Sequence, residues 1–310
     1  MKISVITPVF NGAGLLSRAI ESVRSQTFTD WELIIVDDGS VDNTKSVAES
    51  FVAKDPRIKY LFCQHSGGPA RPLNAGIKIS EGDFIAILEQ DDEWMPEKLE
   101  LQVGLFMKRK DLCMVGCEVF VANEISGKRK KVIFKKNKNS AAWFRSMIED
   151  RDFFFNLSTL LISKTRLVDS SIFFDERLSL SADRDFYIRM IPQGFDVVTK
   201  PLVVYHSHTD SLSKNPASSE KIIQDTLLIL EKHRPLFKAF PRGYSLLLGY
   251  VGILLYCDGR KNEAWLNLKN SIKIYPFNLK LYAKIAILVL FGPSMYFQVR
   301  NYYFSYIKIR

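Results

Sequence analysis

The chain has 310 residues, 47% hydrophobic and 25% charged, a globular balance that excludes a disordered tail protein, a collagen and a coiled-coil rod. Length allows one large domain or two modest ones. Its 43 Lys and Arg against 34 Asp and Glu leave a net charge of +9, and residues 201–310 carry all of it, with 15 basic and 6 acidic residues. A surface for an acidic partner therefore belongs to the C-terminal third. The cysteines Cys63, Cys113, Cys117 and Cys257 form no CxxC pair and no disulfide framework. MKISVITPVF has no cleavage pattern, so the expected compartment is a reducing cytosol.

In chain order, Ile3–Val9 is an apolar β-branched run closed by Asn11-Gly12, and Leu15–Gln26 has apolar residues at helical spacing. Glu32–Val36 reads as a buried strand ending in Asp37-Asp38-Gly39-Ser40, followed by a helix over Thr44–Val52. Ile58–Cys63 is a third strand, Pro69–Ser80 a helix entered through Gly67-Gly68, and Phe84–Leu88 a fourth strand running into Glu89-Gln90-Asp91-Asp92. Strands continuous in Ile and Val between helices imply a mostly parallel sheet covered on both faces, with ligands beyond the strands' carboxyl ends. The polar clusters at 11–12, 37–40 and 89–92 are therefore expected to converge on one site.

Residues 98–213 continue the pattern with a helix over Pro96–Phe106, strands near Met114–Val121 and Thr159–Ile162, a helix over Arg184–Met190 and a strand near Val197–Tyr205. GKRKKVIFKKNKN (127–139) is a basic loop or hairpin. SKNPASSEK is a linker by composition. Helices follow over Lys221–His233, Gly243–Cys257, Lys261–Tyr275, Asn278–Phe291 and Met295–Ile309, and GRKNEAWLNLKNSIKIYPFN reads as a local helical pair rather than a repeat array.

Glu89 and Asp91 share one face if the segment after the fourth strand is extended, with Gln90 and Asp92 on the other. Paired hard oxygen donors suit Mg²⁺ or Mn²⁺; acids at a helix start are the alternative. Asp37-Asp38 stands where α/β folds often bind a ribose or a base. No GxGxxG or GxxxxGK[ST] occurs near the first strand, which excludes a Rossmann dehydrogenase and a P-loop ATPase. Asp183 either caps the helix after it or belongs to the site. His206 and His208 alternate onto one side and are expected to face solvent near the site.

ISVITPVFNG, QTFTDWELIIVDDGSVDNT and NAGIKISEGDFIAILEQDDEWMPEKLE resemble the N-terminal half of family-2 glycosyltransferases of the GT-A fold, and FFDERLSLSADRDFYIRM and VYHSHTDSLS echo its later motifs. The resemblance is dense over residues 1–105, thinner to 213 and absent from 214–310. It implies an α/β GT-A domain, a mostly parallel sheet flanked by helices, with a nucleotide-sugar half at 1–97, an acceptor half at 98–213 and a helical extension at 214–310. It implies that Thr7, Pro8, Phe10, Asp37, Asp38, Gly68, Arg71, Gln90 and Asp91 hold the nucleotide diphosphate, and that Asp91, Glu89 and His208 meet Mn²⁺ or Mg²⁺. Asp183 is then the general base, and Trp94 and Asp92 lie on the acceptor side. Glu89 stands where the family usually has Asp, Ala182 where an acid commonly precedes the base, and Leu73 where it often has Arg.

The implied reaction is inverting transfer from a nucleotide-diphosphate sugar, a UDP-sugar first, to a glycan or lipid-linked hydroxyl, with no nucleic-acid partner. The alternatives are a sugar-phosphate nucleotidyltransferase, although TPVFNGAGLL lacks the Lys or Arg such an enzyme wants, or a degenerate glycan-binding protein. Within 278–310 the longest uncharged stretch, Ile285–Val299, is short of the ~20 residues that span a bilayer. The tail is therefore expected to lie on an anionic membrane's inner face; the alternative is packing on the catalytic domain or on a second copy of the chain in a homo-oligomer.

Overall fold

A computed structural model describes residues 1–123, 129–133, 139–149, 156–207 and 218–302. The chain divides into two compact units, Met1–Phe144 with Phe155–Thr209, and Arg145–Phe154 with Asp210–Arg310.

The first unit opens with strands and helices in alternation: β1 (Ile3–Val9), α1 (Leu16–Arg24), β2 (Trp31–Asp37), α2 (Thr44–Val52), β3 (Ile58–Phe62), α3 (Ala70–Ile79) and β4 (Phe84–Ile87). All of β2 and most of β1 are buried, as strands covered on both faces require. The four strands pair in parallel in the order β3-β2-β1-β4, with Val9 opposite Asp37, Asp37 opposite Phe62 and Ile6 opposite Ile87. This register brings their carboxyl ends level, so the polar residues that follow them share one edge.

The sheet continues through β5 (Glu93–Trp94), β6 (Met114–Asn123), β7 (Arg129–Val132), β8 (Leu161–Ser163) and β9 (Phe195–Ser207), with helices α4 (Lys98–Lys108), α5 (Ser140–Glu149), α6 (Lys164–Asp169) and α7 (Ala182–Met190) between them. β8 runs antiparallel to both β4 and β6, β9 parallel to β6, and β5 antiparallel to β9. Of the basic stretch, Arg129–Val132 pairs antiparallel with β6 as a hairpin strand; residues 124–128 and 134–138 lie outside the described ones. At the amino ends of the strands, Lys2 and Lys59 each reach both Glu32 and Glu81. Inside the first unit, fully buried Lys98 donates to Gln102 at 2.8 Å and lies 3.9 Å from the centre of the Trp94 ring. Gln102 in turn donates to the carbonyls of Val115 and Thr159.

The second unit holds α8 (Ser219–Lys232), α9 (Arg234–Ala239), α10 (Pro241–Cys257), α11 (Lys261–Ile274) and α12 (Leu279–Tyr302). α10 lies at its middle: Val251, Leu254 and Leu255 pack with Ile223 and Ala264, and Ile253 packs with Leu268, Leu281, Leu288 and Tyr296. Of the two helices expected over 278–309, the described residues show both, run together as α12 and separated by a kink at Gly292, whose φ of 77° and ψ of 177° leave helical geometry. Glycine tolerates that conformation, and Pro293 has no N–H to restore the helical bond.

Candidate active site

The turn after β2 is held by its own side chains. Asp37 accepts from the Ser40 amide at 2.8 Å and the Tyr60 hydroxyl at 2.7 Å, which turns its carboxylate back into the strand end. Burial and the Asp37 carboxylate push the Tyr60 hydroxyl up, so it stays a donor. Asp38 accepts from the Ser66 amide at 3.0 Å and hydroxyl at 2.8 Å, and pairs with His65 Nδ1 at 3.0 Å. Gly39 between them has φ +77°, and a Cβ there meets the His65 amide nitrogen at 2.8 Å, so only glycine fits.

Beside this turn the ring of exposed Phe10 stacks on His65 with centroids 4.2 Å apart. The Phe10 main chain is gripped by the Gln90 amide, its N–H donating to Oε1 at 2.9 Å and its carbonyl accepting from Nε2 at 3.3 Å. Gln90 thus ties the end of β1 to the end of β4. Thr7 is buried within β1 and its hydroxyl has no hydrogen-bond partner among the described residues. Pro8 is paired in register with Val36.

Residues after β4 do not stay extended. The Asp92 N–H donates to the Glu89 carbonyl at 3.1 Å, forming a turn, so Glu89 and Asp91 are not related by strand alternation as expected. Arg18 from α1 donates to the Asp91 carbonyl at 2.8 Å and reaches Glu93 at 3.3 Å. Ser158 accepts the Glu89 amide at 3.0 Å. Asp92, expected on the acceptor side, is fully buried and accepts from Asn156 Nδ2 at 2.6 Å. Trp94, expected there too, is 4% exposed, with Nε1 donating to the Ser158 carbonyl at 2.9 Å. Trp94 is fixed there because β9 draws β5 into the sheet.

Four carboxylates act on one another here. Burial first, then Asp91, pushes the Asp92 carboxyl up to about 7. Burial and the charges of Asp92, Asp91 and Asp183 hold Glu89 well above the usual carboxylate range. Burial and the charges of Asp183 and Glu89 likewise raise the Tyr187 hydroxyl. Asp183 lies in the first turn of α7, while Ser181 takes the cap position. The turn after β4 and the start of α7 therefore converge.

Other contacts bind the loop at Gly68 and helix α3 to the approach to α7. A Cβ on Gly68 falls 2.6 Å from the Ser179 carbonyl oxygen, and Asn74 pairs with both backbone groups of Phe174 and with Glu176 Oε1. Arg71 is exposed on α3, its charge acting on Cys63. His206, expected to face solvent, is buried, with Nε2 2.7 Å from Glu93 Oε1; alternation along β9 turned it toward a partner 113 residues away. His208 lies outside the described residues.

The geometry thus unites Phe10, Asp37, Asp38, Gly68, Gln90, Glu89, Asp91, Asp92 and Asp183 on one edge. It adds His65, Ser66, Arg18, Asn156 and Ser158, which carry no local sequence signal because their partners are 27–73 residues distant. Among the described residues no group of three or more His, Cys, Asp or Glu could hold a metal ion alone. An Mg²⁺ or Mn²⁺ that also binds phosphate oxygens needs only one or two protein carboxylates. The crowded carboxylates of the β4–β5 turn fit that requirement, since a dication relieves their repulsion.

The family model described as Glycosyl transferase family 2 matches residues 4–168, over half the chain. The chain belongs to glycosyl transferase family 2. Two curated relatives of this family-2 chain carry specific names. An Escherichia coli protein named UDP-Glc:alpha-D-GlcNAc-diphosphoundecaprenol beta-1,3-glucosyltransferase is 39% identical over 41% of this chain and 49% of its own length. A Campylobacter jejuni GalNAc(5)-diNAcBac-PP-undecaprenol beta-1,3-glucosyltransferase is 28% identical over 82% and 92%. The chain thus spans about half the length of the E. coli relative, and 42% of a Bacillus subtilis teichuronic acid glycosyltransferase. The S. aureus TarS 1-349 structure in complex with UDP-GlcNAc overlays with a TM-score of 0.62 at 18% identity, covering 89% of this chain and 92% of that one. A Pyrobaculum calidifontis mannosyltransferase with GDP-Man and Mn²⁺ gives 0.57 at 15%, covering 99% and 87%. The fold is the GT-A architecture that the sequence resemblance implies.

Proposed function

We propose that this family-2 chain transfers a sugar, with inversion, from a UDP-sugar to a hydroxyl of a lipid-linked glycan at the cytoplasmic side of a membrane. The observation that carries the reading is the meeting of the turn after β4 with the start of α7, where the charges of Asp91, Asp92 and Asp183 all act on Glu89. The names of relatives acting on diphosphoundecaprenol-linked sugars, and the neighbour bound to UDP-GlcNAc, support the substrate classes. We assign donor binding to residues 1–97 and acceptor binding to 98–213.

In this reading the base of the nucleotide lies against Phe10 and His65, and Asp38, oriented by Ser66 and His65, accepts from it. Asp37 shapes the turn, and Gly68 lets the diphosphate approach the backbone. Asp91, with Glu89, holds the divalent ion, which when bound supplies Lewis-acid neutralisation of the leaving diphosphate. Asp183 takes the proton from the acceptor hydroxyl as that oxygen attacks the anomeric carbon from the side opposite the diphosphate. A single carboxylate base and one displacement invert the anomeric configuration, with no second nucleophile.

The test is transfer from UDP-glucose and UDP-GlcNAc to an undecaprenyl-diphosphate-linked sugar with Mn²⁺, the anomeric linkage read by NMR. Wild type is expected to form an inverted product, and Asp91→Asn, or EDTA, to abolish it. Full activity in EDTA sinks the metal assignment; a retained configuration sinks the mechanism.

A further inference from the structure

Among the described residues of the second unit, α12 is also apolar on the side turned away from the helices it packs against. Leu281, Ile285, Leu288 and Tyr296 turn one face toward the core of the second unit. On the opposite face Leu279, Tyr282, Ala283, Ala286 and Leu290, at positions i, i+3, i+4, i+7 and i+11, are all exposed, Leu279 by 78% and Leu290 by 73%. A surface helix ordinarily turns polar residues outward. Here Leu279–Tyr296 is apolar enough to cross a membrane by length and composition, yet only 17% of it is buried.

The break at Gly292 decides between crossing and lying flat. The unbroken part, Leu279–Phe291, is roughly 20 Å long at 1.5 Å per residue, against about 30 Å of hydrocarbon. Charge decides the occupant. Residues 278–310 contain five basic residues and no acidic one. By helical spacing Lys280 and Lys284 flank the apolar face, where long stems let ammonium groups reach headgroups. A second copy would bring the same positive charge against it.

We propose that the exposed face of α12 is a bilayer docking surface: Leu279, Tyr282, Ala283, Ala286 and Leu290 enter the interfacial layer of an anionic membrane while Lys280 and Lys284 meet lipid phosphates. The proposal deepens the reading of a lipid-linked acceptor but stands on the helix alone, so it is measured without donor or acceptor.

The experiment is co-sedimentation of the full chain with vesicles of phosphatidylcholine alone or mixed with phosphatidylglycerol, at low and high salt. Wild type is expected to pellet with the anionic vesicles, less so at high salt. Lys280→Gln with Lys284→Gln should weaken this by about thirty-fold, and Leu279→Gln with Leu290→Gln should abolish it. Circular dichroism and a UDP-induced thermal shift check that each variant folds. Binding equal to wild type in both variants, or no wild-type binding, overturns the proposal. So does a dimer, seen by light scattering, that the leucine variant dissolves while no form binds vesicles. Vesicle binding by a protein with no transferase activity keeps the surface and removes only the enzymatic reading.

Discussion

His65 shapes two parts of the strand-end site, its ring flat on Phe10 and its Nδ1 3.0 Å from Asp38. His65→Ala removes a stacked pair and one support of Asp38, effects of about 1 kcal/mol each. UDP affinity by calorimetry is expected to fall by ten-fold or more, with kcat at saturating donor less affected; an unchanged affinity removes His65 from the nucleotide site. Asp183 makes the contrasting case. The base proposed at Asp183 would act on the acceptor hydroxyl only in the transition state, so Asp183→Asn is expected to cut kcat by about 10²–10⁴ and leave UDP affinity near wild type. Collapse of donor binding along with the rate would make it a donor-site residue instead.

At the scale of elements, α4 carries a buried cation behind the site. Burial lowers the Lys98 ammonium to about 8 from 10.5, so above pH 8 the folded chain binds fewer protons there than the unfolded one and stability rises with pH. The window closes near pH 9, because burial pushes Cys113 and Cys117 up to about 12 from 9.0 and their sign is opposite. Between pH 8 and 9, denaturant unfolding is expected to show wild type gaining about 1 kcal/mol relative to Lys98→Met, the two thiols acting alike in both. An equal gain in the variant refutes the assignment. Lys98 also marks what the sequence made legible. β1 and α2 are readable to the residue because β-branched runs and helical spacing are local signals. β5 is two residues long and exists through pairing with β9 across more than 100 residues, so it could not be read. Without β5, the sequence reads residues 89–92 as extended and His206 as facing solvent, and nothing local contradicts the acceptor-side place that the resemblance implies for Trp94. Asp37, Asp38, Glu89 and Asp91 were legible as a group because parallel strands must end at one edge. The side chains that hold them were not.

The whole molecule divides its chemistry from its charge: the strand-end site lies in the first unit, while residues 201–310 carry the net +9. A ligand stabilises the unit that binds it by mass action, about 2.7 kcal/mol at a hundred times its dissociation constant. Scanning calorimetry with UDP and Mn²⁺ is expected to shift the unfolding of the first unit. Equal shifts in the His65→Ala and Asp91→Asn variants would place the nucleotide elsewhere. At one edge of the sheet β3 has β2 as its strand partner and ends the strand order. Its Lys59 bonds Glu32 and Glu81. An outer strand with open amide and carbonyl groups invites a strand from another chain to add to it, and an inward-pointing charge is one of the few features that discourages such growth. Lys59→Gln takes one of two cations from the buried Glu32 and the charge from the edge, so it is expected to lower stability and to raise light scattering in concentrated solution.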